Sequence, residues 1–130
     1  VVTGGGGGIG RGISESFAAY GARVVVAERD PERARETAEA IRKAGGQALE
    51  CAVDVQERAQ VAELLKATLA AYGGIDVLVN NVGDFLGSKS FASSSEDEWE
   101  ALYRINLKHV FQCCHAFVPR MLEQGTVTCV

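Results

Sequence analysis

Several signals that would assign this 130-residue chain to a particular class of protein are absent from its sequence. Its four cysteines form no C-x-x-C pair and no cluster with histidine at zinc spacing, so no metal site is predicted. No apolar run is long enough to span a bilayer and no signal peptide is visible, so no membrane partner is predicted. The formal net charge of -4, without a basic stripe, argues against binding to nucleic acid.

The composition that remains is typical of one ordinary globular domain. Hydrophobic residues make up 47% of the chain and charged residues 23%, which is enough apolar material for a sizeable core. The sequence has no initiator methionine, and it begins and ends within β-branched runs that predict strands. We therefore expect a piece of a longer protein, truncated at both ends, whose cysteine usage fits a cytoplasmic location.

A block of glycines near the start of the chain is its most informative stretch. The valines before it predict a strand, and the periodic residues after it predict a helix, which disfavours the alternative of a flexible linker. A glycine turn between a strand and a helix N-terminus binds phosphate, because free N–H groups and the helix dipole meet there. Two registers overlap: G-x-G-x-x-G at Gly5, Gly7 and Gly10, and a second pattern at Thr3, Gly4, Gly8, Ile9 and Gly10.

Strands and helices alternate along the rest of the chain at the spacing of βαβ crossovers. Residues 23–27 form a continuous apolar run, as in a strand that is buried on both faces of a parallel sheet. Asp30-Pro31, and Ser95 with Glu98, are the N-cap signatures of two helices. The predicted strands are residues 1–3, 23–27, 48–53, 75–79 and 126–130, with helices between them.

This pattern predicts an α/β fold, a Rossmann-type, doubly wound parallel sheet in three layers (α/β/α) with strand order 3-2-1-4-5. Residues 1–130 would form a partial NAD(P)-binding domain. In such sheets the ligand binds at the carboxyl ends of strands 1 and 4, where the winding direction switches. The polar residues that follow the first four strands are therefore expected to converge on one edge.

The end of the second strand carries the residues that predict the choice of cofactor. Glu28 lies about 20 residues after the glycine turn, where an acid accepts both ribose hydroxyls of an adenosine and repels a 2′-phosphate. Arg29 favours the opposite choice, because a guanidinium pairs with a 2′-phosphate. NAD is the predicted cofactor, and NADP is the alternative. The structural alternative for both residues is a solvated surface position.

The ends of the third and fourth strands supply the other candidate cofactor contacts. Asp54 can accept a hydrogen bond from the adenine amino group, or it can form the turn that starts the next helix. Asn80 and Asn81 carry amides that can bridge loops or a ligand, and Gly83 lets a flat ring approach the backbone. The alternative is an ordinary Asn/Gly turn.

Four motifs in order resemble the short-chain dehydrogenase/reductase family. Thr3-Gly4-x-x-x-Gly8-Ile9-Gly10 is similar to its TGxxxGIG motif, and Asp54-Val55 resembles its adenine-contacting Asp-Val. Asn80-Asn81-Val82-Gly83 resembles its NNAG motif, with valine in place of the usual alanine. Arg104-Ile105-Asn106-Leu107 is similar to the segment that carries the catalytic asparagine.

The resemblance implies hydride transfer between a nicotinamide cofactor and an alcohol or ketone carbon of a small molecule. Of the family's catalytic Asn, Ser, Tyr and Lys, the resemblance places only the asparagine in this chain, as Asn106, where it would hold a water of the proton relay. The 130 residues alone are therefore expected to be inactive. The resemblance also implies a homo-oligomer in the parent protein, paired through the fourth helix.

Two other functions compete with this interpretation. One is a non-catalytic dinucleotide-binding module that senses redox state, and the other is an epimerase or dehydratase of the extended branch, which the glycine spacing disfavours. The polar loop 84–94 carries Phe85 and Leu86, which form either an apolar wall for a substrate or part of a plain solvent loop.

The fourth helix also carries side chains for which we predict structural roles. The apolar residues between Trp99 and Val118 are expected to lie mostly in the core, and the neighbours Cys113 and Cys114 to be small apolar residues of the helix. His109 and His115 lack acid partners at ligand spacing, so both are expected at the surface or an interface.

Overall fold

Parallel strands and α-helices alternate along the chain, as the sequence periodicity predicts. A computed structural model describes residues 1–85, 87 and 90–130. Leu86 lies outside the described residues, and Phe85 is exposed. The strands are β1 (Val2–Thr3), β2 (Arg23–Glu28), β3 (Gln47–Ala52), β4 (Val77–Leu78) and β5 (Thr128–Cys129), and the α-helices are α1 (Gly8–Ala19), α2 (Pro31–Lys43), α3 (Arg58–Tyr72), α4 (Glu96–Tyr103) and α5 (His109–Gln124).

The sheet has the predicted strand order 3-2-1-4-5. β2 pairs in parallel with both β1 and β3, and β4 pairs in parallel with β5, with Leu78 opposite Cys129. β1 joins the two parts of the sheet, because Thr3 N donates to Val79 O at 3.0 Å and Val79 N donates to Val1 O at 2.9 Å. The carboxyl ends of all the strands therefore lie along one edge.

The core lies on both faces of this sheet, which makes the fold three layers deep. Alternate residues of β2 point to opposite faces, so Val25 packs in the cluster beneath α3 and α5, and Val26 packs in the cluster beneath α1 and α2. Both side chains are buried, as the apolar run predicted. No helix in the described ranges is long and apolar enough to cross a membrane.

The helix ends follow the predicted capping chemistry. Asp30 Oδ1 accepts hydrogen bonds from the Glu32 and Arg33 amides at 3.0 and 3.4 Å, and Pro31 follows as the first residue of α2. Ser95 and Glu98 form a reciprocal capping box at the start of α4. These caps fix where each helix begins relative to the strand before it.

The predicted fourth helix is divided into two α-helices. A π-helical segment, Arg104–Lys108, separates α4 from α5, and α5 continues through Pro119 to Gln124. Pro119 has no N–H for the carbonyl one turn earlier, at His115. His115 itself is exposed. The exposure of His115 agrees with its prediction.

The apolar residues of this helical region are mostly outside the core, contrary to the prediction. Trp99 is 42% exposed and Phe111 is 58% exposed, whereas Phe117 is fully buried. Only the face of α5 that meets the sheet and α3 is covered. The spacing of apolar residues along the sequence identified an apolar side of the helix, but it did not show which elements pack against that side.

Candidate functional site

The glycine turn runs from β1 to α1 and leaves an uncapped helix N-terminus. Gly4 and Gly8 have positive φ angles of 61° and 49°, which glycine adopts without strain. A Cβ at Gly10 would lie 2.0 Å from Gly4 O. The backbone at Gly4 is therefore too close to position 10 for any side chain to fit there. Gly7, the N-cap, contributes no side-chain hydrogen bond, and a Cβ at Gly8 would meet no atom within 4 Å. The start of α1 therefore has no side-chain cap, and the space beside Gly8 is open.

Hydrogen bonds from three neighbouring elements hold the turn in place. Ser14 Oγ, on α1, donates to Gly5 O at 3.4 Å, and Thr37 Oγ1, on α2, donates to Gly6 O at 3.2 Å. From the β2 side, Gly5 N donates to Ala27 O at 3.2 Å. Because both hydroxyls are buried, the conformation of the turn is set by the surrounding protein.

Thr3 and Asn81 connect the turn to the segment that follows β4. The Thr3 hydroxyl is buried, donates to Val79 O at 3.2 Å and accepts from the Asn81 and Val82 amides at 3.0 and 3.4 Å. Asn81 Nδ2 donates to the carbonyls of Thr3 and Gly4 at 3.1 and 3.3 Å. The Asn81 side chain thus bridges two loops, one of the two roles proposed for it.

Glu28 ends β2, as predicted, and its carboxylate contacts the glycine turn. Glu28 Oε2 accepts from Gly6 N at 3.3 Å, and Oε1 accepts from the Arg29 and Asp30 amides at 2.8 and 3.2 Å. Three backbone donors thus fix the carboxylate, while the Arg29 side chain is exposed. The predicted ribose acceptor is also part of the structure that supports the turn.

Arg33 is a residue at this site that sequence reasoning missed. A Cβ at Gly6 would lie 2.9 Å from the Arg33 backbone carbon, and a Cβ at Gly7 would lie 3.8 Å from Arg33 Nη1. Its pair with Asp30, Nε to Oδ2, is 3.6 Å long and exposed, so it is weak. A basic residue in the first turn of the helix after Glu28 was the available signal.

Asp54 follows β3 and forms the turn that was its alternative interpretation. Its Oδ1 accepts from Gln56 N at 2.9 Å, and its backbone amide donates to Gln60 Oε1 at 2.8 Å. The Val55 side chain is buried in the core beneath α3. Asp54 still lines the cleft described next, so turn formation does not remove it from the candidate site.

Most of the predicted residues meet in a cleft of about 230 Å³ at the carboxyl edge of the sheet. The turn residues Gly7, Gly8, Ile9 and Gly10 lie outside its lining, beside Gly4. Another cavity of about 230 Å³ lies at the opposite edge, around Tyr72, and contains none of the predicted site residues. The cleft is lined by Gly4, Glu28, Arg29, Val53, Asp54, Val55, Gln56, Asn81, Val82, Gly83, Asp84 and Ile105.

Asn80 is the predicted residue that points elsewhere. Its Nδ2 lies 3.4 Å from Val130 O and 3.9 Å from Cys114 Sγ, on the side of the sheet covered by α5. Its Oδ1 is buried, and no hydrogen-bond partner for it is found in the part of the chain that the structure describes. The side chain does not line the cleft, and its predicted cofactor contact stays a prediction.

Asn106 lies in the π-helical segment at the rim of the cleft. Its Oδ1 accepts from Asp84 N at 3.1 Å, while its Nδ2 donates to Asp84 O at 2.9 Å and to Leu102 O at 3.0 Å. A Cβ at Gly83 would lie 3.0 Å from Asn106 Oδ1. The amide therefore holds the backbone of Asp84, and a side chain at position 83 would push against it.

His109 is buried, so the prediction that it lies at the surface or an interface is wrong. It begins a stripe of fully buried residues four apart, with Cys113, Phe117 and Met121, and that spacing was the missed signal. Neither ring nitrogen makes a hydrogen bond within the described ranges. Burial lowers the pKa of His109, and the nearby backbone of Val82 and Ile105 partly opposes this shift. Neither backbone segment comes into hydrogen-bonding geometry with a ring nitrogen.

The chain matches a known family along its whole length. The family model described as short chain dehydrogenase matches residues 1–130. An uncharacterised oxidoreductase of Thermotoga maritima is 38% identical over 125 residues, which cover 96% of this chain and 48% of that protein. The 3beta-hydroxysteroid dehydrogenase 1 of Eggerthella lenta is 38% identical over 125 residues, covering 95% of this chain and 48% of that protein. The chain spans about half the length of these curated relatives.

Solved structures agree with the fold. A metagenomic short-chain oxidoreductase in complex with NADP matches with a TM-score of 0.90 and 36% identity, over 98% of this chain and 58% of that chain. A 7 alpha-hydroxysteroid dehydrogenase complexed with NADH and 7-oxo glycochenodeoxycholic acid matches with a TM-score of 0.89 and 31% identity, over 95% of this chain and 48% of that chain.

Proposed function

The chain belongs to the short-chain dehydrogenase family, and we propose that it is the nicotinamide-cofactor-binding part of an oxidoreductase that acts on an alcohol or ketone carbon. The observation that carries the proposal is the convergence of Gly4, Glu28, Asp54 and Gly83 on one cleft beside the glycine turn. These residues come from the ends of four consecutive strands. They are the combination that a dinucleotide, with its phosphates, ribose and flat rings, requires.

The residues at the turn fit a pyrophosphate. The uncapped amides at the start of α1 provide hydrogen-bond donors, and the open space at Gly8 leaves room for an anion. Asp54 would accept from the adenine amino group, and the backbone at Gly83 would lie against the nicotinamide ring. When bound, the cofactor supplies or accepts the hydride, while these residues bind and orient it.

We propose NAD as the cofactor, with NADP as the alternative. Glu28 favours NAD, because its carboxylate is fixed by three amides where the ribose hydroxyls of the adenosine would lie. Arg29 and Arg33 oppose this preference, since both place a positive charge near the same position. Among similar structures, one holds NADP and another holds NADH.

Asn106 is proposed as the catalytic residue that the chain retains. Its resemblance to the family asparagine implies a water-holding role, and its three hydrogen bonds fix the amide beside the predicted nicotinamide loop. No tyrosine of the chain, at positions 20, 72 or 103, has a lysine four residues later. The 130 residues are therefore proposed to bind cofactor without turning over an alcohol or ketone.

A second copy of the chain is the proposed protein partner, and the cytoplasm the proposed location. Tyr103 and Phe111 line a groove of about 660 Å³ between α3 and α5, where they are exposed. Covering such apolar side chains on association is favourable. All four cysteines are free, which fits a reducing compartment.

Cofactor binding by the purified chain tests the proposal directly. Calorimetric titration with NADH should give saturable binding, and Gly10→Ala should abolish it, because a Cβ there meets Gly4 O. Gly12→Ala is the matched control, since Gly12 is on the same helix and a Cβ there would meet nothing within 4 Å. A folded chain that binds neither NADH nor NADPH would refute the proposal. Binding without turnover by the full-length parent would select the redox-sensing alternative.

A further inference from the structure

Two thiols from different elements lie together at a distance from the cofactor cleft. Cys114 is on α5 and Cys129 is on β5, and their Sγ atoms are 3.9 Å apart. Neither residue lines the cleft. We propose that Cys114 and Cys129 form a thiol pair that closes to a disulfide in the presence of a small oxidised disulfide such as oxidised glutathione.

The backbones that carry the two thiols are held in place on both sides. Gly125, with a φ of 78°, turns the end of α5 back towards the sheet. β5 is fixed against β4, because Val130 N donates to Leu78 O at 2.9 Å and Asn80 N donates to Val130 O at 2.6 Å. A disulfide needs sulfur atoms about 2 Å apart. Rotation of the cysteine side chains has to supply the remaining approach.

The Asn80 amide lies directly against this pair. Its Nδ2 is 3.9 Å from Cys114 Sγ and 3.4 Å from Val130 O. The same side chain buries an Oδ1 atom that has no hydrogen-bond partner in the described chain. A bond between the two sulfurs would therefore form beside the first residue of the segment that continues to Asn81 and the cofactor cleft.

The other two cysteines lie apart from this pair, one in the core and one on a different strand. Cys113 is fully buried beneath the sheet, and burial raises the pKa of its thiol to about 12. It follows that the sequence neighbours Cys113 and Cys114 point in different directions on the helix, towards the core and towards Cys129. Cys51 is half-buried on β3. Cys129 is exposed, so an oxidant in solution can reach one member of the pair.

The reaction proceeds as two thiol–disulfide exchanges. The Cys129 thiolate attacks one sulfur of the small disulfide, which forms a mixed disulfide and releases one small thiolate. The Cys114 thiolate then attacks Cys129 Sγ and releases the second small thiolate. The two protein thiols are oxidised, the small disulfide is reduced to two thiols, and the two protons go to the released thiolates. Burial and the neighbouring Cys114 raise the pKa of Cys129, so alkaline buffer is the suitable condition.

Peptide mapping of the oxidised chain tests the pairing. The whole chain is incubated with oxidised glutathione, alkylated without reduction and digested with trypsin. We expect the loss of two hydrogens and a cross-link between residues 109–120 and residues 121–130. Because Cys113 and Cys114 share the first peptide, the variants distinguish them: Cys113→Ser should keep the cross-link, and Cys114→Ser should lose it and leave a glutathione adduct on Cys129.

Thermal melting gives an independent reading of the same bond. The disulfide would join two residues that are 15 positions apart and would constrain the unfolded chain. The oxidised protein should therefore melt on the order of 5–10 °C higher than the reduced protein. The Cys51→Ser variant should show the same rise, and Cys114→Ser should show none. A cross-link that survives in Cys114→Ser, or a wild-type chain that yields only glutathione adducts or intermolecular disulfides, would overturn the proposal.

Discussion

Glu28 and Gly6 are joined by a hydrogen bond of 3.3 Å between a carboxylate oxygen and a backbone amide, across the gap between β2 and the glycine turn. A Cβ at Gly6 would lie 2.6 Å from Glu28 Cγ, so the two residues are also in close packing contact. The acid proposed to select the cofactor and the turn proposed to hold its phosphates are therefore one structural unit. A change in either one should affect the other.

The variant Glu28→Gln should shift the cofactor preference towards NADP. Removing the charge lowers repulsion of a 2′-phosphate and weakens the acceptor for ribose hydroxyls, so the ratio of NADH to NADPH affinity should fall about tenfold. Titration with both cofactors measures it. Glu36→Gln, at an exposed position of α2, is the control for a general charge effect. An unchanged ratio in a folded variant would remove Glu28 as the determinant.

Arg33→Gln should act in the opposite direction. Its guanidinium lies over the turn at Gly7, where it can pair with a 2′-phosphate, so NADPH binding should weaken roughly two- to fivefold while NADH binding changes little. Arg35→Gln is the matched control, because that arginine pairs with Glu32 and Glu39 on the same helix. Equal losses for both cofactors would assign Arg33 to general attraction of phosphates.

Asn106→Ala should loosen the segment after β4. It removes the hydrogen bonds to both Asp84 backbone groups, and at this exposed position we expect a loss of about 1 kcal/mol in the free energy of unfolding. NADH affinity should fall as well, since Gly83 loses its fixed neighbour. Urea titration and calorimetry measure the two effects. Asp84→Ala should keep the wild-type free energy of unfolding, because the contacts with Asn106 use only the Asp84 main chain.

His109 should make the fold sensitive to acid. Burial lowers its pKa in the folded chain, so below its ordinary value of 6.5 the unfolded chain binds more protons than the folded one. The free energy of unfolding should therefore fall as the pH drops through 6.5, and this contribution should level off below the lowered pKa. His109→Leu should flatten the profile in that window, and His115→Gln, at an exposed site, should not.

The fold was predictable because its signals are local. The apolar run at 23–27 and the caps at Asp30 and Ser95 each depend on neighbouring residues, and the family resemblance is confirmed. The divided helix was not predictable in this way, since π-helical segments are rare and Arg104–Lys108 contains no glycine or proline that would mark a break. The choice between core and surface for Trp99 and His109 likewise depends on which elements pack nearby.

For the candidate site, the sequence predicted which residues follow which strand, but not their individual contacts. Parallel strands end at one edge of the sheet, and this rule predicted that Glu28, Asp54 and Gly83 lie together. All three line the cleft. The proximity of Arg33 to the turn follows from how α2 packs, which no spacing rule gives. Asn80 and Asn81 differ because successive side chains at a strand end point to opposite sides. That rule alone would have separated the two.

Thr3 shows that size and strand preference do not decide which residues position 3 can accept. Its buried hydroxyl serves three backbone groups, as donor to Val79 and acceptor from Asn81 and Val82. Valine has nearly the same shape and a high β propensity, yet it would leave two partly buried amides without the acceptor that Thr3 provides. In a library randomised at this position, serine should be recovered with threonine and valine should be depleted, so a small buried hydroxyl limits how far the turn can diverge in sequence.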